Sequence, residues 1–425
     1  MATRRIVFFI PYLLLVTGIL AGRGQSFAAE NSSLSVQCGD METWDYGMGM
    51  CMPMAMAGMP MKMIMFHGNS FFMETLEEKP RGRDAFSVPD MFMLDVGSSV
   101  GDRHYFNLDF MGTAELWTVP NNGTPEFLQI GENQSNGIPF LDAQHPHSSP
   151  VMGLTLSDTI SLSAQDHVKF SFAPRGESTD GPIAFMHRPT GMVNPDAPLG
   201  HHIGQDVGHI SSTVLAGLIR LANTTLELST FNGTEPSPLS VDLPMGTPNS
   251  YATRLTQQFT AHDFAMISGA YVKSPEPSEP SLDHVWRYSV SVYDDRELAN
   301  GWMLSNALIW GLINGYDNAA ALNSFAEEFW LHRDAHSVWG RLEELQRTPN
   351  ELQIPGFGDA DTGRWVTAAT MGYTQKMSSW GAAEISLGGS VTKDFLPGDF
   401  QSAYSGNPVS GKIFVQVGGS QMWNL

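Results

Sequence analysis

His167-Val168-Lys169-Phe170-Ser171-Phe172 sets Val, Phe and Phe on one side of an extended chain and His, Lys and Ser on the other, because successive side chains of a strand leave opposite faces. The same rhythm returns as Leu154, Leu156, Ile160 and Leu162 against Thr155, Ser157, Thr159 and Ser161. It returns again as Trp286, Tyr288, Val290 and Val292 against Arg287, Ser289 and Ser291, and as Ile385, Leu387 and Val391 against Glu384, Ser386 and Gly388. A soluble sandwich alternates in this way too, so the lengths of the connections decide.

Strands read at 61–74, 90–98, 104–118, 150–162, 166–173, 207–221, 225–231, 249–259, 263–272, 283–293, 300–313, 323–332, 336–344, 363–375, 380–393 and 411–420 leave connections that alternate short and long. The short ones fall at Gly101-Asp102, Ser163–Gln165, Ala222–Thr224, Thr260–His262, Asp294–Ala299, Arg333–Ala335 and Lys376–Ser379. Brief turns at one end and extended loops at the other, on an even strand count, are the pattern of an outer-membrane barrel. The expected fold is therefore all-β: an antiparallel transmembrane β-barrel of about sixteen strands, within 14–18, with short periplasmic turns and long outer loops. Trp117, Trp302, Trp310, Trp330, Trp339, Trp365 and Trp380, near strand ends, are expected in the interfacial girdles.

The ends and the composition agree with this. Arg4 and Arg5 precede an apolar run from Ile6 to Leu20 and the small-residue site Ser26-Phe27-Ala28, which is the order of a secretory signal. Every later apolar run is broken by charge, Gly or Pro within about ten residues, too short for a spanning helix. The expected organisation is a cleaved signal peptide at 1–28, a Met- and Cys-rich segment at 29–60 and a barrel at 61–425, exported to the outer membrane of a Gram-negative cell. Charged residues are only 16% of the chain, against about 25% in soluble domains. The formal net charge of −21 argues against a nucleic-acid partner. The expected partners are outer-membrane lipid and small solutes or metal ions, and self-association is compatible with the fold.

Two constellations carry chemistry. Met48, Met50, Met52, Met54 and Met56, with Cys38, Cys51 and His67 nearby, present soft thioether and thiolate ligands suited to copper as Cu(I). The two cysteines fit either a disulfide or a pair of metal ligands, and the methionines fit either a metal-binding arm or an apolar tail. The second constellation lies in the long connections 119–149 and 174–206, whose length needs a reason. They carry Asp142, His145, His147, His187, His201, His202 and Asp206, with His209 just beyond. If both loops lie on the outer side they meet over or in the lumen. Imidazole and carboxylate are then the ligand types for a transition metal, or else a hydrogen-bonded loop core that narrows the pore.

No Gly-x-Ser-x-Gly elbow, His-Glu-x-x-His or phosphate loop is present. A lipid hydrolase built on barrel strands ranks third, behind a porin-like channel for small solutes with a transition-metal link and a closed barrel that only scaffolds metal binding.

At these loops the chain resembles a porin-like family of bacterial outer-membrane β-barrels, some encoded near metal-resistance genes. The resemblance rests on 140–147 (FLDAQHPH), 181–189 (GPIAFMHRP), 194–202 (NPDAPLGHH) and 231–236 (FNGTEP), and on Ser250-Tyr251, Arg254-Leu255 and 273–276 (KSPE). It implies a barrel in the outer membrane and names no substrate. The chain departs from the family at Ile203, where a Trp is usual.

Overall fold

The computed structural model describes residues 42–45, 50–53 and 62–424, apart from 135–137, 148, 164, 238–240, 244, 261, 276–281 and 316–319. The expected signal segment 1–28 and most of the segment 29–60 lie outside these. Glu42–Asp45 and Met50–Pro53 pair as a short antiparallel hairpin that sets Trp44 opposite Cys51.

Sixteen antiparallel strands close into a barrel. In chain order they are β1 (Lys62–Glu77), β2 (Ala85–Ser87 continued as Asp90–Val100, interrupted at Pro89), β3 (His104–Gly112) and β4 (Val151–Ser161). Next come β5 (His167–Gly176), β6 (Ser211–Leu221), β7 (Thr224–Asn232), β8 (Ser250–Gln258), β9 (Asp263–Lys273) and β10 (His284–Glu297). The last six are β11 (Met303–Asn314), β12 (Leu322–Arg333), β13 (His336–Arg347), β14 (Arg364–Trp380), β15 (Ala383–Phe395) and β16 (Val409–Asn424). The wall closes where β16 pairs with β1, from Ser410 opposite Glu77 to Asn424 opposite Met63.

The burial sense of the alternation is the reverse of a soluble sheet. Leu156, Leu228 and Ile267 point outward at 54%, 55% and 57% exposure, whereas Arg287, Ser289 and Ser291 are buried toward the lumen. An apolar belt of this extent on the outer surface needs lipid rather than water around it. The short turns, at 101–103, 162–166, 222–223, 259–262, 298–302, 334–335 and 381–382, gather at one end, and the long connections at the other.

Three expectations are corrected. The strand expected over 104–118 stops at Gly112, and Glu115–Thr118 forms a helical turn, α1, because the Glu115 carboxylate turns inward to the loops instead of following the wall. The turn expected at Lys376–Ser379 is strand: β14 runs on to Trp380, beyond the belt, where polar side chains meet water and Lys376 pairs with Glu384. Trp330 and Trp339 are not girdle residues. Both face the lumen, where Trp339 donates to Thr374 Oγ1 at 3.0 Å and lies over Gly372, at which any Cβ would strike the ring.

The long connection after β3 is also more than a loop. It holds an antiparallel hairpin, Thr124–Asn133 with Pro139–Gln144, separate from the barrel sheet. This hairpin and the connection 177–210 fold back into the outer half of the lumen, so the largest buried cluster lies between plug and wall. It includes Leu128, Leu199 and Ile203 from the loops and Val285, Leu345 and Val366 from the strands.

Candidate functional site

Side chains of the inner wall hold the plug by its backbone. Ser229 Oγ accepts from Thr179 N–H, Ser268 Oγ from Gly181 N–H and Glu343 Oε1 from Leu199 N–H, while Ser324 Oγ donates to the Ile203 carbonyl. Buried ion pairs reinforce this: Arg287 with Asp180, Lys412 with Asp196, and Glu328 between Arg188 and Arg341. Gly204, at φ +71°, lets the loop approach so closely that a Cβ would stand 2.8 Å from the Leu312 nitrogen. Polar wall positions that would face water in an open pore are thus spent on the loop.

Two devices aim histidines inward. Asp142 pins the base of the inserted hairpin by accepting from Leu128 N–H, Arg81 Nε and the Tyr404 hydroxyl, and His145 and His147 follow at its exit. Gly131 leaves room for the His145 ring, which a Cβ would meet at 2.9 Å. On the other loop the rigid Pro195 and Pro198 lead into an irregular turn at His201–Gln205, with His209 one short turn later.

The result is one cluster of the buried His145, His201, His202, Asp206 and His209, with the half-buried His147 beside them. Ring centres are 4.6 Å apart for His201 and His202, 5.1 Å for His201 and His209, and 6.0 Å for His145 and His202. Nitrogen atoms of His145, His201 and His202 lie within 4.8 Å of one another, and so do ligand atoms of His201, Asp206 and His209. Tautomers are set by the outer hydrogen bonds. His209 Nδ1 donates to the Asp206 carbonyl at 2.6 Å, which leaves Nε2 as its lone-pair nitrogen, and His147 Nδ1 is hydrogen-bonded with Glu115 Oε2 at 3.1 Å.

Among the described residues His201 Nδ1, His202 Nε2 and His209 Nε2 are buried without a hydrogen-bond partner. Burial first, and then the neighbouring imidazoles, push His145, His147 and His202 well below the usual histidine range, and His201 below it. These rings are neutral at pH 7. Burial alone would raise Asp206, but His209, His201 and Arg188 outweigh it and keep the carboxylate ionised, while burial pushes Glu115 up to about 7. An ionised carboxylate among neutral imidazoles is a donor set for a borderline divalent cation.

Not every expected residue joins. Asp142 is spent on the hairpin base. His187 lies apart, 3.0 Å from Glu177, whose charge outweighs the effect of burial and raises the imidazole. Cys38, Met48, Met54 and Met56 lie outside the described residues, and for Met50, Cys51 and Met52 only the backbone pairing is described.

Two small cavities touch the cluster, and a larger one lies apart from it. A vestibule of about 810 Å³ on the turn side is lined by Met65, His67, Trp330, His336 and Lys376. A cavity of about 60 Å³ shares Asn69 and Met192 with it and reaches Glu115, His147 and Met152. One of about 20 Å³ shares His147 and Met152 and extends past His145 and His209 to Glu235 and Pro236 of an outer connection. The last, beside His145, His147 and His209, has room for about one water molecule. Sequence reading missed the methionines along this line, Met91, Met152, Met186 and Met192. Met91 and Met152 were findable only from the inward parity of their strands, which register makes visible, whereas Met186 and Met192 lie in the loop, where no such parity operates.

No family model and no curated protein matches the chain. Its fold is similar to that of solved outer-membrane porins. The OprB structure from Pseudomonas putida aligns with a TM-score of 0.52 at 10% identity, over 85% of this chain and 94% of that one. The Salmonella typhi OmpF complex with daunomycin gives 0.50 at 8% identity, over 90% and 100%. At these identities the likeness is one of fold.

Proposed function

We propose that the chain is a porin-like barrel of the outer membrane that admits ions and water-sized solutes, and that a transition-metal ion bound by His145, His201 and His202 controls that passage. The observation that carries the reading is the convergence of the neutral, buried imidazole nitrogens of His145, His201 and His202, with His202 Nε2 lacking a hydrogen-bond partner among the described residues, and with His145 lining a cavity of about 20 Å³.

The residues fit such an ion. Nitrogens about 2.0–2.1 Å from Zn(II) in a tetrahedron stand roughly 3.3 Å apart, so donors within 4.8 Å of one another need only a small closing movement. His209 and Asp206, which share His201 with the first set, supply the remaining donors. The outer hydrogen bonds to Glu115 and the Asp206 carbonyl orient the ligands as second partners do in metal sites.

Co(II) added to the purified full chain in detergent tests this. Tetrahedral nitrogen and oxygen ligation gives intense visible absorption, saturating at about one equivalent for a single site and lost in His145→Ala/His202→Ala. Only the weak spectrum of hydrated Co(II) would overturn the metal reading. If the ion binds but no current crosses a bilayer, passage fails and the barrel is a closed scaffold for metal.

A further inference from the structure

The largest buried cluster, between plug and wall, contains no methionine, although the chain has 24. A separate cluster has as its buried members Met91, Met93, Met111, Met152 and Met186 together with Ala184. The exposures of the five methionines are 6%, 1%, 3%, 2% and 9%. Methionine also packs in smaller groups, Met63 and Met65 with Tyr105, Met73 with Phe71 and Phe414, and Met266 with Phe264, but nowhere else among the described residues do five buried thioethers meet.

Register explains how they meet. Met91 and Met93 are two apart on β2 and both face inward. Met93 stands opposite Met111 on β3, and Met111 opposite Gly153 on β4. A register shift beside Met111 leaves Met152 buried next to that row. Met186, on the short turn Phe185–His187 of the plug, packs on the same group. On the other side Met93 stands opposite His67 of β1, whose Nε2 is buried with no hydrogen-bond partner among the described residues. An unsatisfied buried imidazole is costly unless something is held there.

We propose that Met91, Met93, Met111, Met152 and Met186, with His67, form a site for a soft monovalent cation, Cu(I) or Ag(I), in the inner wall of the lumen. Thioether sulfur selects such ions over Zn(II), and the flexible methionine side chain closes on an ion without moving the backbone. Access exists on both sides. The 60 Å³ cavity is lined by Met91, Met152 and Met186, and a cavity of about 110 Å³ by Met93 and Met111. One row toward the turn side, Asp95, fully buried and hydrogen-bonded by Asn107, places a carboxylate near the cation. The role of the site, though not its existence, rests on the reading of the lumen as an ion path. It is distinct from the methionine run at 48–56 and from the histidine cluster.

Methyl-¹³C methionine in the full chain, in detergent micelles and chloride-free buffer, gives one signal per methionine, each assigned by a single Met→Leu change. Titration with silver nitrate, a redox-inert soft probe, is expected to shift the Met91, Met93, Met111, Met152 and Met186 signals together and saturably. Met93→Leu/Met111→Leu should weaken silver binding at that set at least tenfold while the Co(II) spectrum stays unchanged. If that variant does not fold, Met186→Leu, on the plug rather than the wall, gives the same readout. Five unmoved signals while methionines of the N-terminal run respond would overturn the site. Shifted methyls with no Co(II) site would leave this proposal standing and remove the histidine reading, and the reverse pattern would do the opposite.

Discussion

Glu328 anchors the plug to the wall through Arg188 and Thr190. Its Oε1 accepts from Arg188 Nη2 at 2.8 Å and Arg341 Nε at 3.1 Å, and its Oε2 from Arg188 Nε at 3.1 Å and Thr190 Oγ1 at 2.6 Å. Breaking a buried pair by removing one partner costs about 3–5 kcal/mol, because the other charge stays buried. Glu328→Gln should therefore lower the thermal unfolding midpoint and loosen the loop, seen as a several-fold rise in ion current across bilayers. An unchanged midpoint and current would mean that the pair does not hold the plug. None of this was legible in the sequence. Arg188 stood out only within a motif of resemblance, and its partner lies 140 residues away on a strand whose parity had to be known first. The histidines were legible by type and loop, because proline-rich connections of such length with His-Pro-His and His-His need a reason. That Asp142 and His187 would leave the group was not, since their partners Tyr404 and Glu177 are fixed by folding.

The elements followed the alternation closely because in a membrane wall each face has a single solvent, lipid or lumen, and the period of two is enforced at every position. It failed where that constraint lapses. Residues 113–118 leave the wall, β14 and β15 run past the belt into water, and the inserted hairpin, with Pro125, Pro139 and Gly131, breaks the rhythm although it pairs. Replacing Ile183–Ile203 by a Gly-Ser linker of equal length removes most of the second inserted loop, leaving the hairpin Thr124–Gln144 and the whole strand ladder, so the barrel should still assemble. Liposome swelling should then admit sugars that the full chain excludes. Exclusion unchanged by the replacement would show that this loop does not close the lumen.

The whole molecule is stabilised by two opposed surfaces, an apolar exterior and a lumen filled by its own loops. Leu228 lies mid-strand on the exterior at 55% exposure, next to the buried Ser229 that holds Thr179. An Arg at the bilayer midplane costs about 2–4 kcal/mol. Leu228→Arg should lower the urea midpoint in vesicles correspondingly, and an unchanged midpoint would place this face away from lipid. The proposed ion path is governed at the histidine cluster. Single-channel current of the full chain in planar bilayers, recorded with a chelator and then with micromolar Zn(II), tests it most directly. A small conductance that Zn(II) suppresses is expected, with no suppression in His145→Ala/His201→Ala/His202→Ala. A current indifferent to Zn(II) in both proteins, or no current even after the plug is replaced, would contradict it.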